Sequence, residues 1–520
     1  MTDPPTVAVI GAGFSGLLTA LRLLLPGPEG PRVVLIERGP RFGRGAAYST
    51  ASPHHLLNVR ATNMSALVEQ PAHFIDWLGA EGVATPDQVF VTRDRYGQYL
   101  QSLLREATSD NGSGRLVLEH DEVRTLEREG ERWRLGLAMG RTIIADAVVL
   151  ALGNLAPPAP DGAEPDVLTS EAYVGDPWRW RGPEGPARGD VLLIGSGLTA
   201  VDVALTIHDK QPDARMLALS RHGLQPRSHG EARSMLARGA PSGSPSEVLS
   251  EVRRRTAADW RGGIDSLRPH VQTIWRQWSA AERRSALRHL RPWWNVHRHR
   301  LAPEIAERLA EYERNGLFSL TAGRLQSLRL ADGGIEATWR PRGALETETR
   351  LFARVVNCMG PSGEIRLSDD PLIASILEAG LIRPDDCALG VDVDSRSRAV
   401  GASGEAIDGL FAVGPLTRGQ FYEITSVPDI RLQAADCADS ILNMLALKGR
   451  MHADGAGDAS SAERLTKELT EFIEQSMAEL DVELGSLKFA RRVRGAWELR
   501  GRRAALGEIA LWLEERRGKS

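Results

Sequence analysis

The sequence predicts an α/β protein built from two Rossmann-like dinucleotide-binding domains, with a helical insertion and a C-terminal helical tail. Three observations carry this. An apolar run, Val7-Ala8-Val9-Ile10, leads into Gly11-Ala12-Gly13-Phe14-Ser15-Gly16. About 180 residues later Val191-Leu192-Leu193-Ile194 leads into Gly195-Ser196-Gly197-Leu198-Thr199-Ala200. Each turn is followed by a helical stretch and a second apolar strand, Arg32–Ile36 and Met216–Leu219. One glycine-rich turn is a weak signal. Two complete strand–turn–helix–strand units point to two nucleotides held face to face.

Within each turn the small residues have separate duties. Gly11 and Gly195 permit the tight turn from strand to helix. Gly13 and Gly197 let the backbone approach a pyrophosphate. Gly16 and Ala200 allow close packing of helix on strand. The helix N-terminus then offers its free N–H groups to the phosphates.

The end of the next strand separates the two nucleotides. After the first turn the strand closes on Glu37, followed by Arg38. A carboxylate there accepts from ribose hydroxyls and repels a 2′-phosphate, which suits FAD or NAD. After the second turn the strand closes on Ser220-Arg221-His222, with no acid. A hydroxyl and a guanidinium fork fit a 2′-phosphate, although a solvated loop would read the same way. The expectation is FAD at the first turn and NADPH at the second.

Composition bounds the alternatives. The 520 residues are enough for about two or three domains. The net charge of −4 gives no global field toward nucleic acid or an anionic membrane. The apolar stretch Leu17–Leu25 belongs to the helix after the first turn and is too short to span a bilayer. A soluble, cytoplasmic protein is expected. Cys358, Cys387 and Cys437 are scattered without a Cys-x-x-Cys pair. This argues against a dithiol reductase or an iron–sulfur cluster, and no metal site is expected.

The expected organisation places the first part of the FAD domain at residues 1–160. The NADPH domain follows at 185–340, carrying an Arg-, Trp- and Ala-rich helical insertion at about 225–315. The FAD domain resumes at 341–450, and residues 451–520 form a linker and a charged helical segment. That segment could pack on the body or join copies into a homo-oligomer.

Several strings carry a family likeness. They include Gly43-Arg44-Gly45-Ala46-Ala47-Tyr48-Ser49, His55-Leu56-Leu57-Asn58-Val59 and Arg95-Tyr96-Gly97-Gln98-Tyr99-Leu100. Others are Arg288–Trp294 with His297–Arg300, and Thr425-Ser426-Val427-Pro428-Asp429-Ile430-Arg431. Over roughly residues 5–448 the chain resembles bacterial FAD/NAD(P)-binding proteins related to class B flavin monooxygenases, some of them amino-acid N-oxygenases. The resemblance implies that Arg44, Gly45, Ala47, Asn58 and Val59 line the FAD. It implies that Val123, at a strand end, meets the adenine through its backbone. Gly153 and Gly360 would mark the crossings between domains. Gly414 falls at the ribityl motif, where Pro415 replaces the usual acid. Ile430 lies in the first turn of a helix whose N-terminus would face the flavin.

The resemblance further implies that NADPH reduces FAD and that oxygen passes to a small-molecule substrate, such as an amino acid like aspartate. Asn58 is the best candidate for a polar group beside the reactive ring; a turn-forming Asn is the alternative. Arg291, His297 and Arg298 are candidates for an anionic substrate, in competition with NADPH phosphates and with a solvated surface. Two other functions stay open: an FAD oxidoreductase feeding another acceptor or a partner protein, and a redox-sensing scaffold without catalysis.

Overall fold

The computed structural model describes residues 4–50, 52–109, 114–185, 189–231 and 239–454. The chain divides into a unit Met1–Leu442, which holds both glycine-rich turns, and a second unit Asn443–Ser520. The C-terminal tail, expected to be helical, lies outside the described residues beyond Asp454.

The strands of the first domain are β1 (Thr6–Ile10), β2 (Arg32–Ile36), β3 (Leu116–Glu119), β4 (Val123–Glu129), β5 (Arg132–Leu137), β6 (Thr142–Ala145) and β7 (Ala147–Leu150). The second domain contributes β8 (Tyr173–Val174), β9 (Val191–Ile194), β10 (Met216–Ser220), β11 (Phe318–Ala331), β12 (Gly334–Pro341), β13 (Glu348–Phe352) and β14 (Arg354–Asn357). The chain then returns with β15 (Arg398–Val400) and β16 (Ala406–Ala412).

The first sheet runs β15-β16-β7-β1-β2-β3 and is parallel apart from the edge strand β15. β1 and β7 are buried along their whole length. This is why they read as unbroken apolar runs rather than alternating ones. The ribbon β4-β5-β6 is a separate antiparallel sheet. The second sheet runs β13-β12-β11-β10-β9-β14-β8, parallel from β8 to β11 and antiparallel beyond.

Both sheets reverse their strand order beside the strand that carries the turn: between β1 and β7, and between β9 and β14. Such switch points form a crevice at the carboxyl ends of the strands, where ligands bind in doubly wound folds.

Two expected boundaries change. β13 and β14 complete the second sheet, so it extends past residue 340. β8 joins it from before residue 185. Strands buried on both faces look alike in sequence, and the runs before Gly360 and Gly414 gave no sign of which sheet each would enter. The helix Val427–Asp454 also continues through residues 451–454, where a linker is expected.

Among its described residues the insertion folds as six α-helices, Pro245–Thr256, Trp260–Leu267, Val271–Gln277, Ala280–His289, Arg291–Arg298 and Pro303–Arg314. Two of them begin with a capping box, Ser244 with Glu247 and Ser279 with Glu282. Each box satisfies backbone donors that a helix start leaves free.

Candidate functional site

The first residues of the two turns are placed alike. Gly11 has φ +96°, and a Cβ there would lie 2.5 Å from the carbonyl oxygen of Ala151, just past β7. Gly195 has φ +118°, and a Cβ would lie 2.4 Å from the carbonyl oxygen of Cys358, just past β14. Gly153 and Gly360 follow two residues beyond those carbonyls, both with positive φ and open space around them.

The middle glycines behave differently. A Cβ on Gly13 would meet nothing nearer than Gly45 Cα at 3.5 Å, and one on Gly197 would meet nothing within 4 Å. The fold itself does not require glycine there. A pyrophosphate resting on each turn would, so both cradles fit a dinucleotide.

Around the first turn Glu37, the segment after Gly43 and Gly414 come together. The Gly43 N–H donates to Ala12 O at 2.7 Å, which lays Arg44–Tyr48 across the turn. The Phe14 ring meets Tyr48 edge-on, with centroids 6.1 Å apart. Gly414 comes so close that a Cβ would be 2.3 Å from Ser15 Oγ. The Glu37 carboxylate accepts the Ala12 N–H at 2.9 Å and the Gly39 N–H at 2.7 Å. Two acceptor positions of roughly four remain for a ribose.

Arg44 is buried and bonds Asp94, while its Nε has no partner. Ala47 is exposed. Val123 opens β4 rather than closing a strand. Arg38 points to Asp370 at 2.9 Å and Glu122 at 3.2 Å, so acids already balance its charge. Where the ribityl acid is missing, Gln433 accepts the Gly414 N–H at 2.8 Å and donates to Thr417 Oγ1 at 2.9 Å. Ile430 is buried in the first turn of its helix.

At the second turn Ala200 is fully buried, and Leu198 and Thr199 are half-buried. Ser220 Oγ accepts from Ser196 Oγ at 2.9 Å and from the Gly223 N–H at 3.1 Å. Arg221 is exposed. Burial, then Arg221 and Arg342, push the His222 pKa down from its ordinary value. Sequence reasoning missed Arg342. It lies 120 positions from His222 in sequence. It arrives because β11 pairs with β10, setting Ala322 against Ser220, and the Arg342 N–H donates to Ala322 O at 2.8 Å.

The strand-loop around His55 joins the two domains. His55 Nε2 lies 2.9 Å from both Asp202 O and Thr206 Oγ1, on the helix Leu198–Lys210 after the second turn. Arg93 reaches Asp202 at 3.2 Å. The Asn58 carbonyl accepts from His229 Nε2 at 2.9 Å. Asn58 and Val59 are half-buried on this bridge.

The three basic candidates for substrate binding separate. Arg298 lies 3.3 Å from the buried carboxylate of Glu423. Burial pushes Glu423 up, but His299, Arg298 and the Trp294 N–H together outweigh it and hold the group at about 2. Arg298 is thus already matched. His297 Nδ1 bonds Trp293 O within its own helix, and its ring packs on Trp260. Arg291 has no carboxylate partner among the described residues and acts electrostatically on Arg418, which sequence reasoning also missed.

Comparison with known proteins reaches the same fold. Residues 8–155 match the family profile described as FAD-NAD(P)-binding. An FAD-binding monooxygenase from Aspergillus calidoustus is 27% identical over 213 residues, which is 38% of this chain and 32% of that protein. The match therefore spans about a third of the relative's length.

Among solved structures, ornithine N-hydroxylase of Kutzneria sp. 744 superposes with a TM-score of 0.56 at 15% identity. It covers 85% of this chain and 99% of its own. L-lysine 6-monooxygenase of Pseudomonas syringae gives 0.57 at 15%, with the same coverage. Bacillithiol disulfide reductase of Bacillus cereus gives 0.50 at 16%, covering 84% and 99%. The chain thus has a fold shared by oxygenases and a reductase, and the reaction has to be argued from the site. No helix among the described residues is long and apolar enough to cross a membrane.

Proposed function

We propose that the chain is an FAD- and NADPH-dependent monooxygenase acting on a small polar amine. The balanced reaction takes the amine, O2, NADPH and a proton to the hydroxylamine, NADP+ and water. The observation that carries the reading is the pair of switch-point turns, each with a middle glycine that the fold leaves open, joined through His55 and Arg93.

FAD would rest on Gly11–Gly16, with its ribose on Glu37. Arg44, Gly45, Ala47, Val59, Val123 and Gly414 would line its length. NADPH would rest on Gly195–Ala200, with Ser220, Arg221, His222 and Arg342 around the 2′-phosphate. The flavin supplies hydride acceptance and oxygen transfer, and the protein supplies orientation and exclusion of water. Asn58 stands on the bridge between the domains, where a polar group could orient the amine.

The matched relatives support an N-oxygenating reaction: two of the structures are an ornithine and a lysine monooxygenase. Arg291 supports an amine that also carries a negative group, such as aspartate. The reductase branch has less support. Cys358 and Cys437 are buried, and burial pushes both thiols up, away from the reactive thiolate. A reaction fed by NADPH and oxygen suits the cytoplasm.

The test is NADPH consumption across a panel of amines, with peroxide and hydroxylamine measured in parallel. An amine that raises NADPH turnover and yields hydroxylamine in step with it is expected. Peroxide equal to all NADPH consumed, with every amine, would sink the proposal.

A further inference from the structure

Several arginines of the insertion are matched by a carboxylate or bonded to a carbonyl. Arg298 meets Glu423, and Arg300 grips Asp265 at 2.9 Å and 3.1 Å. Arg283 donates to Trp275 O at 3.0 Å, and Arg284 to Asp386 O at 2.9 Å. Arg418 is different. Its guanidinium makes one long hydrogen bond, to Ser362 O at 3.4 Å, and its buried Nε has no partner. No carboxylate lies within ion-pair distance of it among the described residues.

The acid that acts on it, Asp385, is committed elsewhere: it accepts the N–H groups of Cys387 at 2.8 Å and Leu389 at 2.5 Å. Arg291 adds a second positive charge, and burial with Arg291 pushes the Arg418 pKa down. Tyr422, the other titratable neighbour, is stacked on Trp275 at 4.3 Å, and burial pushes its phenol up, so it stays neutral.

A half-buried guanidinium with a buried, unpartnered Nε and no matching carboxylate, repelled by a second guanidinium, is costly unless an anion completes it. The loop that holds it is rigid. Thr417 Oγ1 donates to Gly414 O and accepts from Gln433, and Trp275 Nε1 donates to Gly419 O at 2.7 Å. Arg418 also lines a cleft with Gly153, Asn154 and Pro415. Those residues follow the carboxyl ends of β7 and β16, on the ligand side of the first sheet.

We propose that Arg418, backed by Arg291, is a receptor for a planar oxyanion that approaches along the narrow crevice between Gly153-Asn154 and Pro415. Its source is either a carboxylate on the substrate or the negatively charged pyrimidine edge of the reduced flavin. The planar fork of Arg suits both. The proposal rests on the flavoprotein reading above.

The experiment uses FAD-loaded protein, wild type against Arg418→Met, with Arg418→Lys as the charge-restoring variant. Malonate binding is followed by flavin fluorescence, and the flavin midpoint potential is measured separately. A tenfold or greater loss of malonate affinity in the Met variant, partly restored by Lys, assigns the site to a substrate carboxylate. A more negative potential with malonate binding unchanged assigns it to the flavin edge. If neither quantity moves, the receptor does not exist. Should Arg418→Met fail to retain FAD, Arg291→Met serves in its place: a smaller change of the same sign is expected, and no change overturns the proposal. Neither readout involves oxygen transfer. A receptor that responds in a protein that oxygenates no amine would therefore refute the proposed reaction alone.

Discussion

The two glycine-rich turns share a backbone geometry and differ in the side chains that gather at the end of the next strand. In both, the first glycine presses on the carbonyl past the neighbouring strand, and the middle glycine faces open space or another glycine. At the first turn a carboxylate, Glu37, is drawn onto the turn's own N–H. At the second, Ser220, Arg221, His222 and Arg342 gather with no acid in the corresponding place. On the proposed reading, the turn sets where a pyrophosphate would lie, while the end of the next strand selects the nucleotide.

The largest expected effect breaks the shared part. A Cβ on Gly16 would lie 1.9 Å from Gly11 O, so Gly16→Ala should abolish the folded protein, read as loss of the cooperative melting transition. Gly13→Ala should fold, because Gly45 Cα at 3.5 Å is an ordinary contact. Its flavin affinity should fall by about 1–3 kcal/mol, the usual cost of forced overpacking. Equilibrium dialysis checks this, and undiminished affinity would place the pyrophosphate elsewhere.

Gly197→Ala sharpens the comparison from the other side. It should keep FAD at wild-type affinity and slow reduction by NADPH through weaker nucleotide binding, seen in stopped-flow saturation curves. Loss of flavin instead would mean that the two sites are not separate.

The selectivity step is of similar size. Arg221→Ala and Arg342→Ala should each lower the preference for NADPH over NADH by about 1.5–3 kcal/mol, the range for a hydrogen bond to a charged group. Steady-state KM ratios give the number. Equal effects on both nucleotides would remove that residue from the 2′-phosphate site.

The smallest effect is a pH dependence. His222 sits below its ordinary value of 6.5 and is neutral at pH 7. It gains a proton as the pH falls through that lowered value. A bound phosphate stabilises the protonated form, so the preference for NADPH should rise as pH drops below about 6.5. The rise should vanish in His222→Gln.

Much of this was legible in the sequence because local chemistry dictates it. Apolar runs into glycine-rich turns, the acid at Glu37 and its absence at Ser220 are read within a few residues. Arg342 and Arg418 were not legible. One depends on strand pairing between β10 and β11, the other on the packing of the insertion's Trp275 against the loop after β16. The fate of Arg298 was hidden for the same reason, since its partner Glu423 is 125 positions away in sequence. Conversely, Arg38 follows the strand that Glu37 closes, yet turns outward to Glu122 and Asp370. Sequence proximity to a site does not fix where a long side chain points.

The most direct test of the central claim is anaerobic titration of the FAD-loaded protein with NADPH, watched through the flavin's visible absorbance. The account predicts full bleaching at one equivalent of NADPH per flavin. Flavin that stays bound and oxidised in excess NADPH would contradict it.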